Sequence, residues 1–174
     1  MMDRTEWLSE VTLRTAAESD LPALEWDGEY IHFRRLYRQV YESTIDGRAV
    51  IWIADLPYSG LIGQVFVQLT SGRRELADGV QRGYIYGFRV KPEFRRNGLG
   101  SRMLEKVEED LRSRQFVWCT LNVSQDNPEA MEFYHRHGYT TVADEPGRWT
   151  YIDHLGNMRE VHEPAFRMEK QIGR

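Results

Sequence analysis

Cysteine is nearly absent from this sequence, since Cys119 is the single example among 174 residues. One cysteine excludes a disulfide within the chain and leaves no thiolate cluster for a metal. Cys119 lies inside the apolar run 116–121, so we expect a buried thiol on a strand and not a nucleophile.

Long apolar runs and an excess of positive charge are also missing. No run approaches the ~18 residues of a membrane-spanning helix, and residues 1–7 lack the apolar core of a signal peptide. The net charge of −4 argues against non-specific nucleic-acid binding, and the local basic cluster Lys91, Arg95 and Arg96 suits a small anion. We therefore expect a cytoplasmic protein with neither a membrane nor a nucleic-acid partner.

The composition is that of a soluble globular protein. Hydrophobic residues make up 41% and charged residues 29% of the sequence, with both signs mixed throughout. No internal repeat, linker or low-complexity segment interrupts the chain. A chain of 174 residues can bury a substantial core, so we expect a single domain over residues 1–174.

The apolar periodicity predicts an α/β chain, with helices on the faces of a mixed sheet, in the order β-α-α-β-β-β-α-β-α-β-β. Strands are expected at 11–14, 50–56, 61–69, 84–90, 116–123, 139–142, 149–152 and 165–172. Helices are expected after residue 19, over 33–41, from 99 to 111 and from 127 to 138. The second and third strands are predicted to pair as an antiparallel hairpin.

The stretch from Tyr84 to Leu104 is predicted to form a strand, a glycine turn and the start of a helix. Pro92 ends the strand because proline has no N–H to donate. Arg95-x-x-Gly98-x-Gly100 would then gather backbone N–H groups at the positive end of the helix dipole, which favours phosphate. Taken alone, this pattern fits an ordinary turn equally well.

A second stretch, from Asn127 to Tyr139, follows the next predicted strand and changes this interpretation. At this spacing and in this order, the two stretches resemble the GCN5-related N-acetyltransferase (GNAT) family. In that family an Arg/Gln-x-x-Gly-x-Gly/Ala motif follows the fourth strand, and an Asn-x-x-Ala-x-x-(Phe/Leu)-Tyr-x-x-x-Gly-(Phe/Tyr) motif follows the fifth. The resemblance covers nearly the whole chain and includes Val90-x-Pro92 before the turn and Leu13-Arg14 near the start.

The resemblance implies a mixed, mostly antiparallel sheet of about six or seven strands, flanked by about four helices, whose fourth and fifth strands splay apart. It also implies acetyl-CoA as co-substrate and no metal. The pyrophosphate would lie on amides of the turn, and pantetheine would bond the edge of the fourth strand, where Gly87 would open the gap as a bulge. The residues implied in cofactor binding are Phe88, Arg89, Val90, Arg95, Arg96, Asn97, Gly98, Leu99, Gly100, Ser101, Asn127 and Tyr134.

Tyr134 is implied as the general acid that protonates the departing CoA thiolate. A thiol with a pKa near ~8.5 gains from a donor, and a tyrosine with a pKa near ~10 is protonated at neutral pH. Helical spacing alone would instead place Tyr134 in a core stripe with Ala130 and Phe133.

The general base is the point where this sequence departs from the family. Many members have a glutamate on the fourth strand at the position of Tyr86, which is not a base at neutral pH. A water relay or another carboxylate must then accept the proton. The acidic segment 25–30 offers Glu29 and then Glu25 as candidates, although a solvated turn explains the segment equally well.

The acceptor is predicted only by class. Candidate acceptor-binding residues are Glu29, Tyr30, Tyr86 and Asn122. The acidic segment 25–30 and the aromatic residues in and after it, up to Tyr37, suggest a cationic or aromatic-bearing amine. The expected activity is acetyl transfer from acetyl-CoA directly to a primary amine of a small molecule or peptide. The alternatives are an inactive acyl-CoA-binding sensor or scaffold and an acyltransferase for a longer acyl-CoA. A phosphate site of a Rossmann-like unit fits the glycine spacing poorly, and a homodimer is an open alternative to a monomer.

Overall fold

The computed structural model describes residues 6–174, which are organised around a seven-stranded sheet. The strands are β1 (Thr12–Thr15), β2 (Ala49–Leu56), β3 (Gly60–Gln68), β4 (Arg82–Val90), β5 (Trp118–Ser124), β6 (Thr140–Glu145), β7 (Arg148–Ile152), β8 (Met158–His162) and β9 (Ala165–Gln171). The order across the large sheet is β1-β2-β3-β4-β5-β9-β6, and β7 and β8 form a separate hairpin. Within residues 6–174 only β4 and β5 are parallel neighbours, so the expected mixed, mostly antiparallel sheet is confirmed.

Three α-helices flank the sheet: α1 (Arg34–Ile45), α2 (Leu99–Ser113) and α3 (Pro128–Arg136). Short 3-10 helices cover Glu6–Glu10, Glu18–Glu25, Ile31–Phe33 and Pro92–Phe94. The helix expected after residue 19 is therefore a 3-10 helix, and Pro22 within it cannot donate a backbone hydrogen bond. No helix of residues 6–174 is long and apolar enough to cross a bilayer.

Both faces of the sheet are buried, which explains why its central strands are apolar at successive positions. On one face α2 contributes Met103, Val107 and Leu111, each at most 1% exposed, as its period predicts. On the other face Tyr37 of α1 packs with Ile51 of β2 in a second cluster. Cys119 is fully buried on β5, as expected.

Both ends of α3 form as the sequence predicts. The Asn127 side chain accepts a hydrogen bond from the Ala130 N–H at 3.1 Å, which caps the helix start. At the other end Gly138 has a φ of +92°, and the Tyr139 N–H returns to the Tyr134 carbonyl at 3.0 Å. This capping fixes the position of Tyr134 relative to β5 and α2.

Strand β8 is an element that the sequence analysis missed. Four of its five residues are exposed and it pairs only with β7, so it has no buried face to produce an alternating apolar pattern. The sequence alone places a turn at 155–157 between the predicted strands 149–152 and 165–172, but this turn joins β7 to β8.

Candidate active site

The parallel strands β4 and β5 separate halfway along their length. Their pairing ends at Ile85 and Leu121, whereas β4 continues to Val90 and β5 to Ser124. Beyond this point the edge of β4 has no strand partner in the described part of the chain. The predicted splay of the two strands is therefore confirmed.

Gly87 lies where β4 turns away. Its φ is +58°, and the register between β3 and β4 shifts there, so that a bulge interrupts the ladder. A Cβ added at Gly87 would come within 2.6 Å of the Phe66 ring. Glycine is thus required both by the backbone conformation and by the space, and the predicted bulge is present.

Two cavities meet at this separation. The smaller, of about 390 Å³, contains residues of β4, β5 and α3, and we call it the gap cavity. The larger, of about 590 Å³, lies between α1, β3, β4 and the segment 145–149, and we call it the aromatic cavity. The residues that line both are Tyr84, Tyr86, Gly87, Arg89, Asn122, Gly147 and Trp149. The splayed strands therefore connect two adjoining spaces.

The glycine turn before α2 leaves a row of backbone donors free. The six N–H groups of residues 96–101 donate no hydrogen bond to any residue of the described range 6–174. Arg96 and Gly98 have φ values of +64° and +87°, which turn successive amides toward one side. A Cβ added at Gly98 would meet nothing within 4 Å, so the space beside these amides is open. Amides at a helix start with open space beside them suit an anion.

The two arginines of the turn have different roles. The Arg95 Nε donates to the Val90 carbonyl at 2.7 Å, which holds the turn against the end of β4. Arg96 pairs with Glu129 at 2.8 Å, and both side chains are largely exposed. An exposed pair of this kind contributes little free energy, so Arg96 can exchange its partner for a bound anion.

Ser101 and His137 connect the start of α2 with the end of α3. The His137 Nδ1 lies 2.7 Å from the Phe133 carbonyl, which only accepts, so Nδ1 carries a proton. In the neutral ring, Nε2 then accepts from the Ser101 hydroxyl at 3.0 Å. The Ser101 hydroxyl is thus engaged, while its backbone N–H belongs to the free row.

Tyr134 lines the gap cavity, and its hydroxyl has no hydrogen-bond partner within residues 6–174. Its ring packs edge-on against Phe133 and Tyr139, with centroid distances of 5.2 and 5.8 Å. Burial raises the pKa of this hydroxyl above the ordinary tyrosine value. Tyr134 is therefore part of the core stripe and also a protonated donor facing a cavity.

Tyr86 and Asn122 line both cavities, whereas the acidic segment lines neither. The Glu25 carboxylate binds Arg34 through two hydrogen bonds of 2.9 Å in a separate surface groove. Glu29 is exposed and lies outside both cavities. The structure therefore does not bring the two predicted base candidates next to Tyr134.

Tyr30 reaches the site indirectly. Its ring supports the Arg89 guanidinium at 4.3 Å, and Arg89 in turn lines both cavities. Asn122 has its Oδ1 buried without a hydrogen-bond partner in the described residues. Burial raises the pKa of Tyr86, so its hydroxyl stays protonated at neutral pH.

Sequence analysis missed two glutamates at the cavities. Glu163 lines the gap cavity with Tyr134, and Glu145 lines the aromatic cavity. A Cβ on Gly147 would come within 1.7 Å of the Glu163 carbonyl oxygen, so only glycine permits this close approach of two segments. The residues Pro146 and Gly147 indicate a turn in the sequence, but no local pattern shows that this turn packs against Glu163. No group of three His, Cys, Asp or Glu side chains in the described range is placed to hold a metal ion.

Comparison with known proteins identifies the fold and the family. The sequence profile of the acetyltransferase (GNAT) family matches residues 13–139. A comparison with curated protein sequences finds no significant match.

Several solved structures share the fold. Ard1 from Thermoplasma volcanium has a TM-score of 0.71 at 17% identity, covering 93% of this chain and 97% of that one. The ribosomal-protein-S18-alanine N-acetyltransferase from Escherichia coli has a TM-score of 0.68 at 17% identity, with coverages of 94% and 95%. The spermidine/spermine N-acetyltransferase SpeG from Vibrio cholerae has a TM-score of 0.69 at 17% identity, with 94% of each chain covered. Because the family profile spans more than half of the sequence, the chain belongs to the acetyltransferase (GNAT) family and is an acyltransferase.

Proposed function

We propose that this enzyme transfers the acetyl group of acetyl-CoA directly to a primary amine of a small molecule or peptide. The observation that supports this most strongly is the row of six free amides at 96–101, next to an unpaired strand edge and a free tyrosine hydroxyl. The spermidine/spermine and ribosomal-protein-S18-alanine enzymes of the same fold are N-acetyltransferases, which agrees with an amine acceptor.

The chain offers acetyl-CoA one continuous surface. The amides of 96–101 would bind its pyrophosphate, and Arg96 would add a cation after leaving Glu129. The β4 edge at 88–90 would bond pantetheine as an added strand, with Asn127 beside it in the gap cavity. Bound acetyl-CoA supplies an activated acetyl thioester, and a β4 amide would donate to its carbonyl oxygen as charge develops there.

Tyr134 would protonate the departing sulfur. Its raised pKa keeps the proton on the hydroxyl at neutral pH, and no internal acceptor in the described chain competes for that proton. The thiolate, with an ordinary pKa near ~8.5, is a stronger base than water, so transfer of the proton from a nearby hydroxyl lowers the barrier to its departure.

The proton of the acceptor ammonium must also leave. Glu163 lines the cavity that contains Tyr134, so we place it ahead of Glu29 and Glu25 as the accepting carboxylate. Glu29 and Glu25 would act only through intervening water.

We also propose that the protein is cytoplasmic and has a single domain. Size-exclusion chromatography tests whether it forms a homodimer.

The test is release of free CoA thiol from acetyl-CoA with a broad panel of primary amines. We expect amine-dependent turnover that Tyr134→Phe lowers about 10²- to 10⁴-fold, while the exposed control Tyr58→Phe does not. Tight acetyl-CoA binding without turnover of any amine would favour an acyl-CoA-binding sensor or scaffold. Turnover only with longer acyl-CoA donors would instead favour an acyltransferase that uses a longer acyl-CoA.

A further inference from the structure

The aromatic cavity is lined by positive charge. Among the described residues that line it, four are arginines (Arg48, Arg73, Arg89 and Arg148) and one, Glu145, is acidic. Arg48 pairs with Asp46 and Arg73 also pairs with Glu75, so the arginines without a carboxylate partner in residues 6–174 are Arg89 and Arg148. The Glu145 carboxylate is 6% exposed and already binds Arg73 at 2.8 Å and Arg167 at 3.0 Å. No unpaired carboxylate among the described residues lines this space, so its lining does not suit the cationic acceptor that the acidic segment suggested.

Arg89 is the arginine at the junction of the two cavities. It follows the Gly87 bulge on β4, and its guanidinium stacks on the Tyr30 ring at 4.3 Å, with Nη1 3.4 Å from the Tyr37 hydroxyl. No carboxylate within residues 6–174 pairs with it. The residue is partly exposed, so an anion that enters the cavity can pair with its permanent charge.

The surroundings of Arg89 are aromatic. Five aromatic rings that line the cavity follow one another in contact, with centroid distances of 5.2 to 6.1 Å; in order they are Trp149, Phe33, Tyr37, Phe66 and Tyr86. A guanidinium held in this way presents a planar fork that matches a carboxylate with two parallel hydrogen bonds. The aromatic walls would cover an apolar or aromatic portion of the same molecule.

We propose, resting on the proposed N-acetyltransferase function, that the acceptor is an amine that carries a carboxylate and that Arg89 binds this carboxylate. Its amine would then lie at the junction of the cavities, facing the gap where Tyr134 stands. α-Amino acids with aromatic or apolar side chains are the simplest members of this class.

This assignment also bears on the missing family glutamate at Tyr86. Nearby positive charge disfavours an ammonium and so lowers its pKa, which increases the fraction of neutral, reactive amine at a given pH. An acceptor site lined by cations therefore needs a weaker general base than an acceptor site lined by carboxylates.

The experiment compares amines that differ only in the carboxylate. Phenylalanine, phenylalaninamide and phenethylamine are assayed as acceptors. Spermidine and O-phosphoethanolamine are assayed alongside them, to detect a preference for a cationic or a phosphate-bearing amine. We expect kcat/KM for phenylalanine to exceed that for phenethylamine about 10- to 100-fold, as loss of a charged hydrogen-bonded pair implies. Arg89→Met should abolish this ratio, whereas Arg74→Met, at an exposed position outside both cavities, should keep it.

A binding measurement separates this proposal from the function on which it rests. With CoA present, N-acetylphenylalanine should bind more tightly than N-acetylphenylalaninamide, and Arg89→Met should remove the difference. That result without any turnover would support the carboxylate site and contradict the acetyltransferase function. Two outcomes would overturn the carboxylate proposal and leave the acetyltransferase function standing. One is turnover of amines with no preference for a carboxylate in either assay, and the other is a preference for spermidine or O-phosphoethanolamine alone.

Discussion

At the residue scale, Tyr134 combines two properties that a purely structural tyrosine does not need. Its ring packs against the core, but its hydroxyl faces the gap cavity with no hydrogen-bond partner in the described chain. The residue is only partly buried, and its hydroxyl is not among the buried polar atoms left without a partner, so it is accessible from the cavity. The free hydroxyl therefore suits an acceptor supplied by the substrate.

The pH dependence of the reaction should reflect the raised pKa of Tyr134. Because burial raises this pKa above the ordinary value near ~10, the proton donor is present below that pH and is lost only at higher pH. We expect kcat to show no decline from Tyr134 ionisation between about pH 8 and 10. A decline of kcat in that interval that Tyr134→Phe eliminates would contradict the assignment of a raised pKa.

Glu163 and Glu29 give a direct comparison of base candidates. Both residues are exposed, but Glu163 lies at the gap cavity that contains Tyr134, whereas Glu29 lies outside both cavities. We expect Glu163→Gln to lower kcat/KM at neutral pH about 10²-fold or more and Glu29→Gln to leave it nearly unchanged. The reverse order would return the assignment to the acidic segment 25–30.

At the element scale, the bulge in β4 sets the separation of the two parallel strands. Gly87→Ala would place a methyl group 2.6 Å from the Phe66 ring at a φ of +58°. We expect a loss of about 1–3 kcal/mol in the free energy of unfolding, measured by urea denaturation, together with weaker acetyl-CoA binding. Gly72→Ala is the matched control, because its added Cβ meets nothing within 4 Å. Equal effects of the two substitutions would show that the bulge is not what holds the gap open.

The turn of the β7–β8 hairpin depends on one buried carboxylate. Asp153 accepts from the Asn157 and Leu155 N–H groups, each at 2.9 Å, and from Arg159 at 2.8 Å. These hydrogen bonds lower the pKa of Asp153 to about 2. The carboxylate therefore stabilises the fold above its unfolded-state pKa near ~3.9, and this contribution is lost as pH falls toward the folded-state value.

We accordingly expect Asp153→Asn to destabilise the protein at neutral pH and to flatten the loss of stability between about pH 4 and 2. Urea midpoints measured across that range test this, with the exposed Asp126→Asn as control. An unchanged pH dependence in Asp153→Asn would contradict a stabilising role of this carboxylate.

At the scale of the whole molecule, the parts predicted from the sequence are those with local signals. The apolar period and the residues at element ends predict the strands of the large sheet, the helix from Leu99 and the cap at Asn127. The predicted bounds of these elements agree with the structure to within a few residues. The bulge at Gly87 and the splay beside it followed from the family resemblance and a glycine in a strand.

The missed features depend on contacts between distant segments. Glu163 reaches the gap cavity because Gly147 packs against its backbone, and Arg89 faces the aromatic cavity because Tyr30 and Tyr37 support it from another layer. No local pattern distinguishes an arginine that lines a cavity from one on the surface. The proposal of a carboxylate-bearing acceptor therefore rests on contacts in the assembled structure, whereas the sequence alone suggested a cationic or aromatic amine.

The central claim is that this chain moves an acetyl group from acetyl-CoA to an amine. Its most direct test is mass spectrometry of the acceptor after incubation with acetyl-CoA and enzyme, alongside quantification of released CoA thiol. The account predicts an N-acetylated amine formed in equal amount to the thiol, strongly reduced by Tyr134→Phe. Thiol release without an acetylated amine, or acetylation that Tyr134→Phe leaves unchanged, would contradict it.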